Sequence, residues 1–425
     1  MWLRLAAIAV FAAAPCMQAL AQSREILTLD DAFARVARSH PDLRLFDGQR
    51  TVLAAESDRA HLRPPLVAGL AIENALGSGA TRGFDEAEIS LTLAGVLERG
   101  GKLDARRTLA QTRIDALALQ RETRRLDLLA EVARRYLAVT AAQQLRRIAE
   151  LDIAQRQRTA AAARQRLAAG ASPESVLLTA QAALARAELD RDRASQRWLS
   201  SRQHLAALWG EREPLFEVVA GDPLALPAIA DFAVLAQLLD ETPELARFAD
   251  EQRLREARLQ LARRQAVPDL DWQVGIRRLQ AGDEVALIGS LAIPLGGARR
   301  AQPDIRAAEA ELAMLGIERE AQGLALYSTL ADAHGRYRAA QLETARLRAD
   351  ILPRLGKAEA AAERAYRAGA SSYLEWAQLQ SERTSVRRQQ LEAALEAQGA
   401  LIEIQRLTGQ AFVAGPAAPT EGTTP

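Results

Sequence analysis

Four histidines, His40, His61, His204 and His334, are the side chains best placed for proton transfer or metal ligation near neutral pH. They stand far apart, and none has ligand spacing. The single cysteine, Cys16, falls in an N-terminal stretch with Arg4, an apolar run from Leu5 to Ala14 and Ala19-Leu20-Ala21 before Gln22. That is the order of a secretory signal cleaved after Ala21. A lipid anchor on Cys16 needs a small residue before it, and Pro15 stands there. The exported chain therefore carries no thiol, hence no disulfide, Fe–S cluster or cysteine nucleophile. Met314 is its one methionine, so there is no soft-metal relay. No catalytic constellation, metal-ligand set or cofactor is expected.

The carboxylates are more informative, because four of them sit on period-two segments. In EAEISLTLA (86–94), Glu86 and Glu88 oppose Ala87, Ile89, Leu91 and Leu93. In DLDWQVGIR (269–277), Asp269 and Asp271 oppose Leu270, Trp272, Val274 and Ile276. LVAGLAIEN (66–74) and EVALIGSLAI (284–293) alternate in the same way. Such alternation predicts strands buried on one face. Either the apolar face packs on a soluble core, or it faces lipid and the carboxylates wet a cation-friendly lumen.

The elements around the strands are helical. The chain has 425 residues, 26% of them charged, and a net charge of +1 with both signs interleaved, so no basic patch argues for nucleic acid. Aromatics are 4%, and no residue from Lys102 to Ala169 is Gly or Pro. That run of 68 residues would make a helix of about 100 Å, too long for the inside of a compact domain. AGAS occurs at 169–172 and again at 368–371, 199 residues later. At that offset Gln181 falls on Gln380, Leu208 on Leu407 and Gly210 on Gly409. HPDLRLF (40–46) echoes TPELARF (242–248), and ERGGK (98–102) faces PLGGA (294–298).

The chain thus reads as a signal (1–21), a first repeat (22–210), a linker (211–230) on the outside of the body, a second repeat (231–409) and a disordered tail (410–425). Each repeat begins with one helix, Leu29 to about Leu62 and Phe232 to about Gln265, with Asp30 and Asp231 as first-turn or cap residues. Two strands follow, then two long helices joined at a tip, 168–172 in the first repeat and 367–372 in the second. Gly170 and Gly369 supply the left-handed residue that ends a helix. Ser172 with Pro173 would start the next one, and Ser372 and Glu375 have capping-box spacing. Leu177, Ala180, Leu184, Ala187 and Arg191 open one coiled-coil seam, and Trp376, Leu379, Arg383, Val386 and Gln390 open the equivalent one, each diluted by polar residues.

No run of 18 apolar residues follows the signal, so anything done in a bilayer is done with strands. Four strands cannot close a barrel, and about eight is the smallest useful number. An open edge in lipid leaves backbone groups unpaired, so the strands either oligomerise or stay out of the membrane.

The duplicated plan, the strand-to-helix passages VLERGGKLDARR and IPLGGARRAQ, and the R-x-x-x-G tip Arg166–Gly170 resemble the TolC-type outer-membrane efflux channels. ERGGKLDARR resembles the CzcC-like cation-efflux branch most. The resemblance implies a mainly helical fold with a small β part: a homotrimer with a twelve-stranded transmembrane barrel and a long periplasmic tube of coiled helices. It implies docking to a periplasmic adaptor protein and an inner-membrane RND pump, with outer-membrane lipid around the barrel. It assigns adaptor docking to Arg166, Leu167, Gly170, Ala171, Ser172, Tyr366, Arg367, Gly369, Ala370 and Ser371, and a tunnel-gate carboxylate to Glu375. Turn chemistry alone also accounts for the Gly and Ser members, and the capping box for Glu375. The second tip departs from the first by Ala365 in place of Arg166. Divalent heavy-metal cations, drugs or a protein exported by a type I system remain open as passengers. A soluble periplasmic adaptor or coiled-coil scaffold is the reading of another class.

Overall fold

A computed structural model describes residues 26–219 and 221–412. The signal segment with Cys16, and the tail from Val413 onward, lie outside the described residues.

Strand β1 (Ile26–Leu27) leads into helices α1 (Leu29–Ser39) and α2 (Pro41–Ala60), then strands β2 (Val67–Glu73) and β3 (Glu88–Leu97). The long hairpin of α3 (Lys102–Ala168) and α4 (Glu174–Ala206) completes the first half. A short β4 (Glu217–Val218) precedes the second half: α5 (Phe232–Gln237), α6 (Pro243–Gln265), β5 (Leu270–Leu279), β6 (Glu284–Ala292), α7 (Gly297–Arg346), α8 (Leu352–Arg367) and α9 (Tyr373–Thr408).

The single helix expected at the start of each half is broken in both. Pro41 and Pro243 push the residue before them out of the helical region. His40 (ψ 127°) and Thr242 (ψ 148°) are extended and become the N-caps of α2 and α6. The cap of α1 is Thr28, whose hydroxyl accepts the Asp31 N–H while Asp31 accepts the Thr28 N–H, and Asp30 is a first-turn residue. Asp231 does stand at the N-cap of α5, with no side-chain hydrogen bond. Pro173, not Ser172, is the N-cap of α4. At α9 only half a capping box forms: Ser372 Oγ accepts the Glu375 N–H at 3.2 Å, and Glu375 turns to the Ser371 hydroxyl instead.

The 67 residues of α3 give a rod of about 100 Å at roughly 1.5 Å per residue. In the second half, α7 and α8 form one path interrupted by a π-turn at Leu347–Ile351. Pro353 stands two residues beyond it, and a ring without an N–H cannot continue the i to i−4 ladder, so the helix bulges there.

Two apolar cores sit at corresponding places on the rods. The first gathers Leu27, Val36, Leu128, Val132, Leu205, Phe216 and Val218. The second gathers Leu235, Phe248, Leu330, Ile404 and Leu407. The 211–230 segment is partly inside rather than outside: Phe216 is buried, and β4 pairs in parallel with β1. Tyr136 in α3 donates its hydroxyl to the Leu27 carbonyl at 3.2 Å, and Tyr337 in α7 donates to the Pro227 carbonyl. Arg-Tyr stands at 135–136 and again at 336–337, a sequence echo that marks this pair of anchors.

The remaining strands form one antiparallel sheet in the order β2-β3-β5-β6. The two halves of the chain meet where β3 pairs with β5, from Glu88 opposite Leu279 to Leu97 opposite Leu270. β2 and β6 are the edges.

Candidate functional site

The register puts Leu70, Leu91, Ile276 and Leu287 in one row across the sheet. All four are exposed, Leu287 at 86%. The opposite face carries Ala71, Ser90, Arg277 and Ala286 in the neighbouring row, and Ser90 is only 2% exposed. Apolar residues outward and polar residues inward is the reverse of a water-soluble sheet, and it is what a strand facing lipid requires.

On the polar face Arg277 holds a cluster together. Its guanidinium lies 2.6 Å from Glu88, 3.0 Å from the Ser90 hydroxyl and 3.2 Å from Glu73. Glu88 also accepts from the Asn74 amide at 3.0 Å. Asp271 shares this face farther down β5 and is exposed. Glu86 is exposed in the turn before β3. Asp269 does something other than line an open face. It accepts the Arg99 N–H at 3.1 Å and pairs with Lys102 at 2.8 Å, tying β5 to the start of α3.

The two helix tips share one backbone design. Ala171 N–H bonds to the Arg166 carbonyl and Ala370 N–H to the Ala365 carbonyl, both at 2.8 Å. Gly170 and Gly369 sit at φ +67° and +82°, closing each helix in a Schellman-type turn that other residues would strain. The tips touch through Arg166. It donates to the Tyr366 carbonyl at 2.5 Å and to the Ala171 carbonyl at 3.2 Å, and it lies 5.0 Å from the Tyr366 ring centre. The buried Tyr366 ring packs 5.4 Å from Trp376 and 6.4 Å from Tyr373. Burial pushes the Tyr373 hydroxyl above the usual tyrosine range.

Of the other tip residues, Leu167 and Ser172 are half-buried, while Gly170, Ala171, Gly369 and Ala370 are exposed. Arg367 is exposed and paired to Glu363 at 2.7 Å. Ser371 donates its hydroxyl to the exposed Glu375 at 2.7 Å. An open cleft runs between the tips, lined by Gln165, Arg166, Ala169, Ala171, Tyr366 and Gly369.

Above the tips, α3, α8 and α9 share a buried polar layer. Asp152 accepts from Arg156 at 3.2 Å and from the Thr384 hydroxyl at 3.0 Å. Glu359 accepts from Gln155 at 2.9 Å and from Arg383 at 2.5 Å. Thr159 bonds Gln380 at 3.0 Å. Burial, with Arg383 nearby, pulls the Arg387 guanidinium below its usual range. Sequence reasoning passed over this layer, although Arg383 and Gln390 in the seam were its signal. Among the described residues, no group of three or more His, Cys, Asp and Glu could hold a metal ion, and no helix is long and apolar enough to cross a membrane.

A profile of the family described as "Outer membrane efflux protein" matches residues 32–211. The cobalt-zinc-cadmium resistance protein CzcC of Cupriavidus metallidurans is 30% identical over 282 residues, 66% of this chain and 67% of that protein. Among solved structures, CusC, described as forming a transmembrane channel, aligns with a TM-score of 0.73 at 19% identity over 90% of this chain and 92% of its own. The outer-membrane channel OprN aligns with a TM-score of 0.72 at 17% identity over 90% of each chain. The outer membrane protein VceC of Vibrio cholerae aligns with a TM-score of 0.69 at 16% identity, over 91% of this chain and 97% of that one.

Proposed function

The chain belongs to the outer membrane efflux protein family, and we propose that it works as a homotrimeric exit duct for divalent heavy-metal cations. It is a channel of the outer membrane and not an enzyme.

The observation that carries the duct is the sheet itself. Its apolar face points outward, and its edges β2 and β6 have no partner strand among the described residues. Lipid does not tolerate such edges, because each unpaired backbone group costs several kcal/mol there. The four strands alternate in direction. The β6 of one protomer can therefore pair with the β2 of the next in antiparallel fashion. Three copies supply twelve strands, wide enough for a water-filled lumen. The long helices continue that lumen on the periplasmic side, and the tips at Gly170 and Gly369 stand at its far end.

The resemblance to the TolC-type channels assigns docking of a periplasmic adaptor to Arg166, Leu167, Gly170, Ala171, Ser172, Arg367, Gly369, Ala370 and Ser371, and the position of the tips at the end of the helices supports it. Tyr366, buried beneath them, would shape the tip rather than touch the adaptor. An inner-membrane RND pump would stand behind the adaptor. Glu375, exposed beside the second tip, would contribute one carboxylate per protomer to a ring that attracts cations. Likeness to a cobalt-zinc-cadmium resistance protein supports the cation cargo.

Fractionation and a deletion strain test the reading together. A trimer that resists SDS, needs detergent and sits in the outer membrane supports the duct, whereas a monomer soluble in buffer rules it out. Loss of zinc, cobalt or cadmium tolerance on deletion supports the cargo. Loss of drug tolerance alone reassigns the cargo and leaves the duct standing.

A further inference from the structure

Four passages between helix and strand converge at the helical end of the sheet. Arg106 donates to the Leu62 carbonyl at 3.3 Å, binding the end of α2 to the start of α3. A Cβ on Gly100 would come within 2.7 Å of the Val267 side chain, and one on Gly297 within 2.9 Å of the Ala266 carbonyl oxygen. The turns before α3 and α7 are thus seated against the chain that follows α6. In the segments 58–63, 97–107, 263–272 and 296–306 there are eleven Lys and Arg side chains and six Asp and Glu.

Much of the acid is already engaged by other cations. Glu98 pairs with Arg106, Asp104 with Arg107 and Asp269 with Lys102. Arg263 pairs with Glu309 at 2.8 Å. Arg59, Arg63, Arg99, Arg264, Arg299, Arg300 and Arg306 remain, all exposed, and none forms an ion pair or side-chain hydrogen bond among the described residues. The N-cap of α7, Gly296, makes no side-chain cap, so the first-turn N–H groups beside Arg299 and Arg300 are open as well.

These arginines border apolar surface. Leu62 and Leu66 flank Arg63 and are 66% and 62% exposed, and Leu295, just before α7, is 86% exposed. Trp272 lies on the apolar face, its ring next to Leu66 around Gly95. An aromatic at the rim of an apolar band, with guanidinium groups immediately beyond it, is the layout of a membrane–water interface. The far end of the sheet is opposite in sign. Segments 73–88 and 277–284 hold six acidic residues and three arginines. Two of those arginines are spent on Glu88 and Asp283.

From this geometry, and resting on the outer-membrane reading above, we propose that the collar binds the headgroup phosphates of anionic phospholipids in the leaflet facing the helices. The arginines reach back past the apolar rim to the phosphate layer, and the open N–H groups of α7 add donors at one point of each protomer. The collar thereby fixes how deep the barrel sits and which lipid surrounds its base.

The test is native mass spectrometry of the full-length protein released from bilayers containing equal phosphatidylglycerol and phosphatidylethanolamine. Retained lipid should favour phosphatidylglycerol by about threefold or more. The quadruple variant R63Q/R264Q/R299Q/R300Q should lose that preference while remaining an SDS-resistant oligomer. The variant R82Q, at the far end, should keep it. Equal retention of the two lipids by the wild type, an unchanged preference in the quadruple variant, or preferential retention of lipid A from a bilayer that includes it overturns the collar and leaves the channel intact. A protein that never enters the bilayer sinks both readings.

Discussion

Arg277 on β5 reaches across to Glu88 on β3, nitrogen to oxygen 2.6 Å apart on the polar face of the sheet. Its other terminal nitrogen lies 3.2 Å from Glu73 on β2, so one cation spans three strands and offsets two carboxylates. In a trimer the ring at this level would hold three arginines against six acids. Replacing Arg277 with Gln keeps a donor for Ser90 and strips the positive charge. The cation-over-anion permeability ratio should rise by about twofold or more, read as a reversal-potential shift in planar bilayers under a salt gradient. An unchanged ratio would mean that this cluster does not line the conduction path.

The link between the tips makes its own prediction. Arg166 is the side chain that joins the first tip to the second, through the Tyr366 carbonyl and ring. Arg166→Ala removes two hydrogen bonds and a cation–π contact, about 1–2 kcal/mol of local stability. Amide exchange over 366–372 should accelerate by about tenfold or more on that account, with exchange in α5 and α6 unchanged. Exchange at wild-type rates would show that the tips are held independently. If the tips also dock the adaptor, adaptor affinity should fall in parallel.

Glu375 adds a conductance test. Its carboxylate accepts from Ser371 and is exposed, so charge is available beside the tip. Glu375→Ala should raise single-channel conductance or leak in planar bilayers, and Glu375→Gln should lower cation preference more than it changes conductance. Wild-type values in both variants would leave Glu375 as a helix-start residue only.

The mainly helical class with a small sheet was legible because both signals are strong and local. A run of 68 residues without Gly or Pro is too long to be a strand and holds none of the usual breakers, which favours one long helix, and alternation with period two is what a strand with unlike faces requires. The breaks at His40 and Thr242 run against the helical periodicity on either side of them and come from Pro41 and Pro243, each of which takes the residue before it out of the helical region. The β1–β4 pairing was not readable, since two-residue strands carry no period and their pairing spans 191 positions, from Ile26 to Glu217. At the sheet, alternation sorted Glu88 onto the polar face. It said nothing of Asp269's ties to Arg99 and Lys102, which depend on how two distant turns meet. The buried polar layer was visible only as impurities in two seams. Which impurity meets which partner is set by the packing of three helices.

His40 makes the start of α2 sensitive to pH. Its Nδ1 accepts the Asp42 N–H at 3.1 Å, which only an unprotonated nitrogen can do. Burial, with Arg124 and Arg135 adding to it, pulls the imidazole below its usual range, although Asp42 acts the other way. A folded value below the unfolded one, about 6.5, means that this contribution is present above that pH and is lost as pH falls through the folded value. Exchange at Asp42 and Leu43, corrected for intrinsic rates, should therefore accelerate between about pH 7 and 5. His40→Asn keeps a cap acceptor and should flatten the profile. Parallel profiles for the two proteins would count against the cap.

The buried layer offers the largest stability effect. Glu359 is 5% exposed and is held by Gln155 from α3 and Arg383 from α9. Glu359→Ala leaves Arg383 without its counter-charge and Gln155 without its acceptor, at a cost of about 3 kcal/mol or more. A buried charge stripped of its partner costs far more than the pair contributes. The double change Glu359→Leu with Arg383→Leu, which removes both charges and fills the space, should therefore recover most of that loss. Denaturant unfolding in detergent, followed by helical circular dichroism, measures all three proteins. If Glu359→Ala unfolds like the wild type, water or lumen ions already solvate Arg383 and the layer is not dry. If the double variant is as unstable as the single one, the layer's value lies in the geometry by which Asp152, Thr159, Gln380 and Thr384 set the register of α3 against α9.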